Sequence, residues 1–66
     1  MTFEEFRNTY RSGHPDPRWR MGQRLFNRLL AVRPDLSEAI SGVDGLDPFH
    51  RDDLIPDCLA WLEENW

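Results

Sequence analysis

The 66-residue chain contains no lysine, and its eight basic side chains are all arginine. It has one cysteine, Cys58, so no intramolecular disulfide can form. Neither that thiol nor His14 and His50 falls at a zinc-ligand spacing. Asp44, Asp47, Asp52 and Asp53 lack the alternating acids, central glycine and closing glutamate of a calcium loop. There is no glycine-rich phosphate loop and no nucleophile elbow. No catalytic residue, cofactor or metal is therefore expected, and the chain is read as a non-enzyme. No apolar run approaches the ~20 residues that span a bilayer, and residues 1–10 lack the basic-then-apolar layout of a secretory leader. A cytoplasmic location with no membrane partner is the expectation.

What is present is segregated charge and a surplus of rings. Residues 1–33 carry seven arginines against Glu4, Glu5 and Asp16, about +4, whereas residues 34–66 carry Arg51 against nine acids, about −8. Such a chain either closes its halves on each other or offers one of them to a partner. A single domain of this length buries only about 60% of the surface its unfolded form exposes. Three tryptophans, four phenylalanines and one tyrosine compensate in part. The small core and the surplus of rings make a homodimer an expectation.

Local signals divide the chain into helices. Thr2 and Glu5 have capping-box spacing, Phe3, Phe6 and Tyr10 form one apolar stripe, and Ser12-Gly13 supplies an exit. Asp16-Pro17 reads as the cap and first position of a second helix over 17–33. Met21, Gly22, Leu25, Phe26, Leu29, Leu30, Val32 and Trp19 share an arc of about 180° on it. Gly22 inside that arc implies close approach by a ring or another backbone. Arg20, Arg24 and Arg28, with Gln23 and Asn27, take the opposite side.

Arg33-Pro34 ends this helix and Pro34 starts a short third one through about Ser41, stopped by Gly42, with Leu36, Ala39 and Ile40 as its apolar edge. Residues 43–50 form the longest loop, in which Asp47-Pro48 is expected to drive Phe49 into the core. Asp52 or Asp53 should cap the last helix, which tolerates Pro56 in its first turn and turns Leu54, Ile55, Cys58, Leu59, Leu62 and Trp66 inward. Trp61 lies at the edge of that arc. The expected architecture is a single all-α domain over 1–66, with three principal helices and a short fourth.

Arg20-Met21-Gly22-Gln23, Phe26-Asn27, Pro34-Asp35-Leu36, Ile40, Gly42, Asp47-Pro48-Phe49, Asp52 and Trp66 together resemble a pattern in short, largely uncharacterised proteins of bacteriophages and bacteria. The pattern has Gly-Gln, Phe and Asn, Pro-x-Leu, Asp-Pro-Phe-aromatic and a final Trp, and the match covers roughly residues 18–66. His50 stands where the pattern more often has tyrosine. The resemblance implies a small cytoplasmic accessory protein and supplies no activity; the partner expected is a protein, of the host if the chain is phage-encoded.

Three sets of residues are candidates for partner contact. Arg20, Arg24 and Arg28 form an i, i+4, i+8 stripe suited to phosphates or carboxylates; its structural alternatives are plain solvation or pairing with Glu4, Glu5, Asp53, Asp57 or Glu64. Asp53, Asp57 and Glu64 line the outward side of the last helix, with Trp61 as the ring expected to stay available. Gln23 and Asn27 are expected to hold the 43–50 loop against the second helix. The preferred function is non-enzymatic protein binding, as a phage- or prophage-encoded modulator of a host macromolecular machine. The alternatives are nucleic-acid binding through the arginine stripe, which the net charge of −4 disfavours, and an acidic decoy for a nucleic-acid-binding protein.

Overall fold

Helix α1, Phe3–Thr9, begins on the capping box read from Thr2 and Glu5. The Glu5 amide donates to Thr2 Oγ1 at 3.1 Å and the Thr2 amide donates to Glu5 Oε1 at 3.0 Å. That hydrogen bonding holds the Glu5 carboxyl below its ordinary range. The computed structural model describes residues 1–12 and 16–66. The Gly13 half of the expected helix exit, with His14 and Pro15, lies outside them.

Helix α2 spans Met21–Val32, so it starts four residues later than the Asp16-Pro17 signature implied. Asp16 does not cap it: its Oδ1 accepts the Arg18 amide at 2.9 Å and its carbonyl accepts the Trp19 amide at 3.3 Å, which closes a turn ahead of the helix. The cap comes from elsewhere. Arg20, the N-cap residue, contributes no side-chain capping bond, and the Gly22 amide donates instead to Asp52 Oδ1, 2.9 Å away and thirty residues on. Helix α3, Pro34–Ile40, follows at once through Arg33, as the residue before proline predicts. It ends at Ser41, and Gly42 then adopts the positive φ of 72° that favours glycine.

The inner edge of α3 differs from expectation. Ala39 is exposed and Ser37 is buried beside Leu36 and Ile40. At 100° per residue the buried arc runs from Leu36 through Ile40 to Ser37, and Ala39 falls about 60° outside it. The Ser37 hydroxyl donates to the Pro34 carbonyl at 2.9 Å, so its burial leaves no donor unpaired.

In the loop, Asp47 Oδ2 accepts the Gly42 amide at 2.7 Å and Oδ1 accepts the Phe49 amide at 2.9 Å. Pro48, rather than Phe49, is the fully buried residue. Phe49 stays half-buried with its ring edge-on to Phe26, centroids 5.5 Å apart. The reason is Gly22, which lets the Pro48 carbonyl approach so closely that a β-carbon at residue 22 would sit 2.0 Å from its oxygen. The expected close approach is thus made by backbone.

A 3-10 turn, Asp52–Leu54, leads into α4, Ile55–Asn65, with Pro56 in its first turn. Neither Asp52 nor Asp53 caps α4. Asp52 serves α2, and Asp53 Oδ1 accepts from Arg51 Nε at 3.1 Å. One core cluster, Phe6, Tyr10, Leu25, Leu29, Leu36, Ile40, Cys58 and Leu62, draws on all four helices. Trp66 closes its margin. The Trp66 ring lies 5.2 Å from Phe6 and its Nε1 donates to the Met1 carbonyl at 3.0 Å, while Arg33 stacks over it and donates to its main-chain oxygen at 2.8 Å. The fold is all-α, with no strand among the described residues, and none of its helices is long and apolar enough to cross a membrane.

Candidate protein-binding surface

The α2 arginines neither dangle in solvent as a set nor pair with the acidic half. Arg24 donates through Nε to the Trp19 carbonyl at 3.1 Å, through Nη1 to Arg11 at 3.3 Å and through Nη2 to Pro17 at 3.3 Å. Arg20 Nη2 donates to the Phe49 carbonyl at 2.9 Å. Arg28 is half-buried, and its Nε is enclosed with no acceptor among the described residues. A guanidinium with several diverging donors suits the carbonyls of an irregular segment, which have no helical partners of their own. Arg20 and Arg24 therefore tie the segments flanking α2 to its first turns.

Ion pairing is entirely local among the described residues. Arg18 pairs with Asp16, Arg33 with Asp35 and Arg51 with Asp53, each two positions apart. Arg33 and Arg51 hold the carboxyls of Asp35 and Asp53 below their ordinary range. Only Arg33–Asp35 joins the two halves, at their boundary, and among the described residues no ion pair links Arg20, Arg24 or Arg28 to the acidic half.

Asp53 is exposed as expected, but it lies in the 3-10 turn ahead of α4 and is engaged by Arg51. Asp57 and Glu64 are on α4, both exposed and without a cationic partner among the described residues. Trp61 lies between them, four residues from Asp57 and three from Glu64, which are surface-neighbour spacings on a helix. The ring is half-buried: part of it packs on the core and the rest faces out. The Asn65 side-chain amide donates to the Trp61 carbonyl at 2.7 Å, which secures the last turn. Glu63 and Glu64 fall in that turn, where the helix dipole is negative and the turn holds no basic residue of its own, although Arg33 donates to the Trp66 main-chain oxygen just beyond it. A helix with two carboxylates in its last turn gives up stability to carry that charge.

Gln23 and Asn27 do not hold the loop. Both are half-buried, and no side-chain hydrogen bond runs from either to any described residue. The loop is docked on α2 by Gly22 against Pro48, Asp52 on the Gly22 amide, Arg20 on the Phe49 carbonyl, and the Phe26–Phe49 edge contact. These contacts span 23 to 30 residues, and no local spacing in the sequence signals them.

Burial, with a smaller contribution from the Asp47 carboxylate, pushes the Cys58 thiol up to about 12, so it is held as a neutral thiol in the core. Among the described residues no three of His, Cys, Asp or Glu are grouped to hold a metal, and no cavity opens. Compared with protein-family models, curated proteins and solved structures, the chain matches none. Its surface chemistry has to be read from its own residues.

Proposed function

We propose that this chain is a small, non-enzymatic, cytoplasmic accessory protein that binds another protein through the outer face of α4, and that the surface it recognises is cationic. The observation that carries this reading is the Asp57–Trp61–Glu64 face: two exposed carboxylates with no ion-pair partner among the described residues, flanking a half-exposed indole. A partner arginine or lysine placed there meets a carboxylate on either side and the face of an aromatic ring between them. The glutamates in the last turn of α4 support the same reading, because charge that weakens its own helix is most readily explained by what it contacts. The resemblance to phage and bacterial proteins agrees with an accessory role acting on a host component. An acidic decoy is the special case in which the cationic surface otherwise holds nucleic acid. Direct nucleic-acid binding through Arg20, Arg24 and Arg28 is disfavoured, because Arg20 and Arg24 already donate to main-chain carbonyls.

The test is a titration of isotope-labelled protein with an arginine-rich peptide, at low and at physiological salt, with duplex DNA in parallel. Shift changes centred on Asp57, Trp61 and Glu64, weakened by salt and lost in the Asp57→Asn/Glu64→Gln double variant, are expected. Saturable binding of the DNA that perturbs α2 instead would overturn the assignment. So would a peptide response unaltered in the double variant.

A further inference from the structure

The outer side of α2 carries a neutral strip bordered by the arginines. At 100° per residue Gln23, Asn27 and Leu30 lie within about 60° of one another, with Ala31 alongside. Leu30 is 51% exposed, Ala31 is exposed, and the half-buried amides of Gln23 and Asn27 have no hydrogen-bond partner among the described residues. We propose that this strip is a homodimer contact, in which two copies of the chain lay α2 against α2 about a two-fold axis.

The choice of a second copy as the occupant follows from charge. In a two-fold interface each patch meets itself. The α4 face would set carboxylate against carboxylate, and the Arg20–Arg24 margin would set guanidinium against guanidinium, so both repel their own copies. An amide carries donor and acceptor together, so Gln23 and Asn27 can pair with the same residues of another copy, and Leu30 can pack on Leu30. The pairing supplies the hydrogen bonds that the isolated chain does not make.

The contact is small. The chain exposes 4109 Å² in all, and a standard interface takes about 800 Å² from each partner, roughly a fifth of that. The twelve residues of α2 extend about 18 Å, too short a ridge to reach that area alone. A rapidly exchanging dimer results, with a dissociation constant on the order of tens to hundreds of micromolar. It uses no residue of the acidic α4 face, so it stands or falls independently of the proposed partner site.

Sedimentation equilibrium over about 10 µM to 1 mM tests it. The wild type should pass from the 7.9 kDa monomer towards twice that mass, and Leu30→Arg, which adds like charge across the axis, should stay monomeric with its helical circular dichroism intact. The Asp57→Asn/Glu64→Gln double variant should dimerise at least as well as the wild type. Should Leu30→Arg lose its fold, the gentler Gln23→Ala/Asn27→Ala variant replaces it, with an expected weakening of about tenfold. A single monomeric species throughout the range overturns the proposal, as does a dimer that the strip variants leave unchanged.

Discussion

Gly22 shows how one missing methyl group sets the packing of a distant segment. On an ordinary helix, replacing glycine with alanine gains about 1 kcal/mol. Here the added β-carbon would meet the Pro48 carbonyl oxygen at 2.0 Å and Asp52 Oδ1 at 3.0 Å. The nearer of these is backbone and cannot rotate away, so the loop must lift off α2 and loosen the fully buried Pro48. Overpacking of this kind costs about 1–3 kcal/mol, which exceeds the propensity gain. Gly22→Ala should therefore lower the urea midpoint, with a net loss of up to about 2 kcal/mol. An increase in stability, as at an open helical site, would show that residue 22 does not seat the loop. A glycine in the middle of an apolar arc already announced some close approach. That the approaching group is the Pro48 carbonyl was not legible, because the two residues are 26 positions apart.

At the level of the elements, boundaries set by neighbouring residues were readable and those set at a distance were not. The Thr2–Glu5 box, the Arg33-Pro34 break and the Gly42 stop all act within four residues, and each appears where its chemistry requires. The α2 start was misread because Asp16-Pro17 is a sound local signature whose carboxylate is diverted into a turn, while the cap arrives from Asp52. The candidate site divides in the same way. Asp57, Trp61 and Glu64 follow from helical periodicity alone, whereas the fates of Arg20, Arg24 and Asp53 depend on which carbonyls and guanidinia the fold brings near. Asp52 has a double role at α2: it accepts the Gly22 amide, and it sets a negative charge at a helix start that holds Arg20 and Arg24 but no acid in its own first turn. Asp52→Ala should cost about 1–2 kcal/mol and increase hydrogen exchange in the first turn of α2 together with residues 43–50. Exchange that rises only in the 3-10 turn around Asp52 would contradict this coupling.

For the molecule as a whole, stability and binding should oppose each other at α4. The three ion pairs among the described residues are short-range and largely exposed, a class that contributes little, and the net charge of −4 leaves the acidic half repelling itself. Added salt screens that repulsion, since the Debye length shrinks from about 10 Å at 0.1 M to about 3 Å at 1 M. Reversing one charge at the unfavourable end of α4 should act in the same direction without salt. Glu64→Lys removes a carboxylate from the negative pole of the helix and puts a cation there, a change of about 0.3–1 kcal/mol, which in a domain of this size raises the thermal midpoint by about 2–7 °C. The same substitution removes one of the two carboxylates beside Trp61, so affinity for the arginine-rich peptide should fall as the midpoint rises. Differential scanning calorimetry and the peptide titration on one variant read both effects. A variant that gains stability and keeps full affinity would mean that the charge on this face is not what the partner recognises.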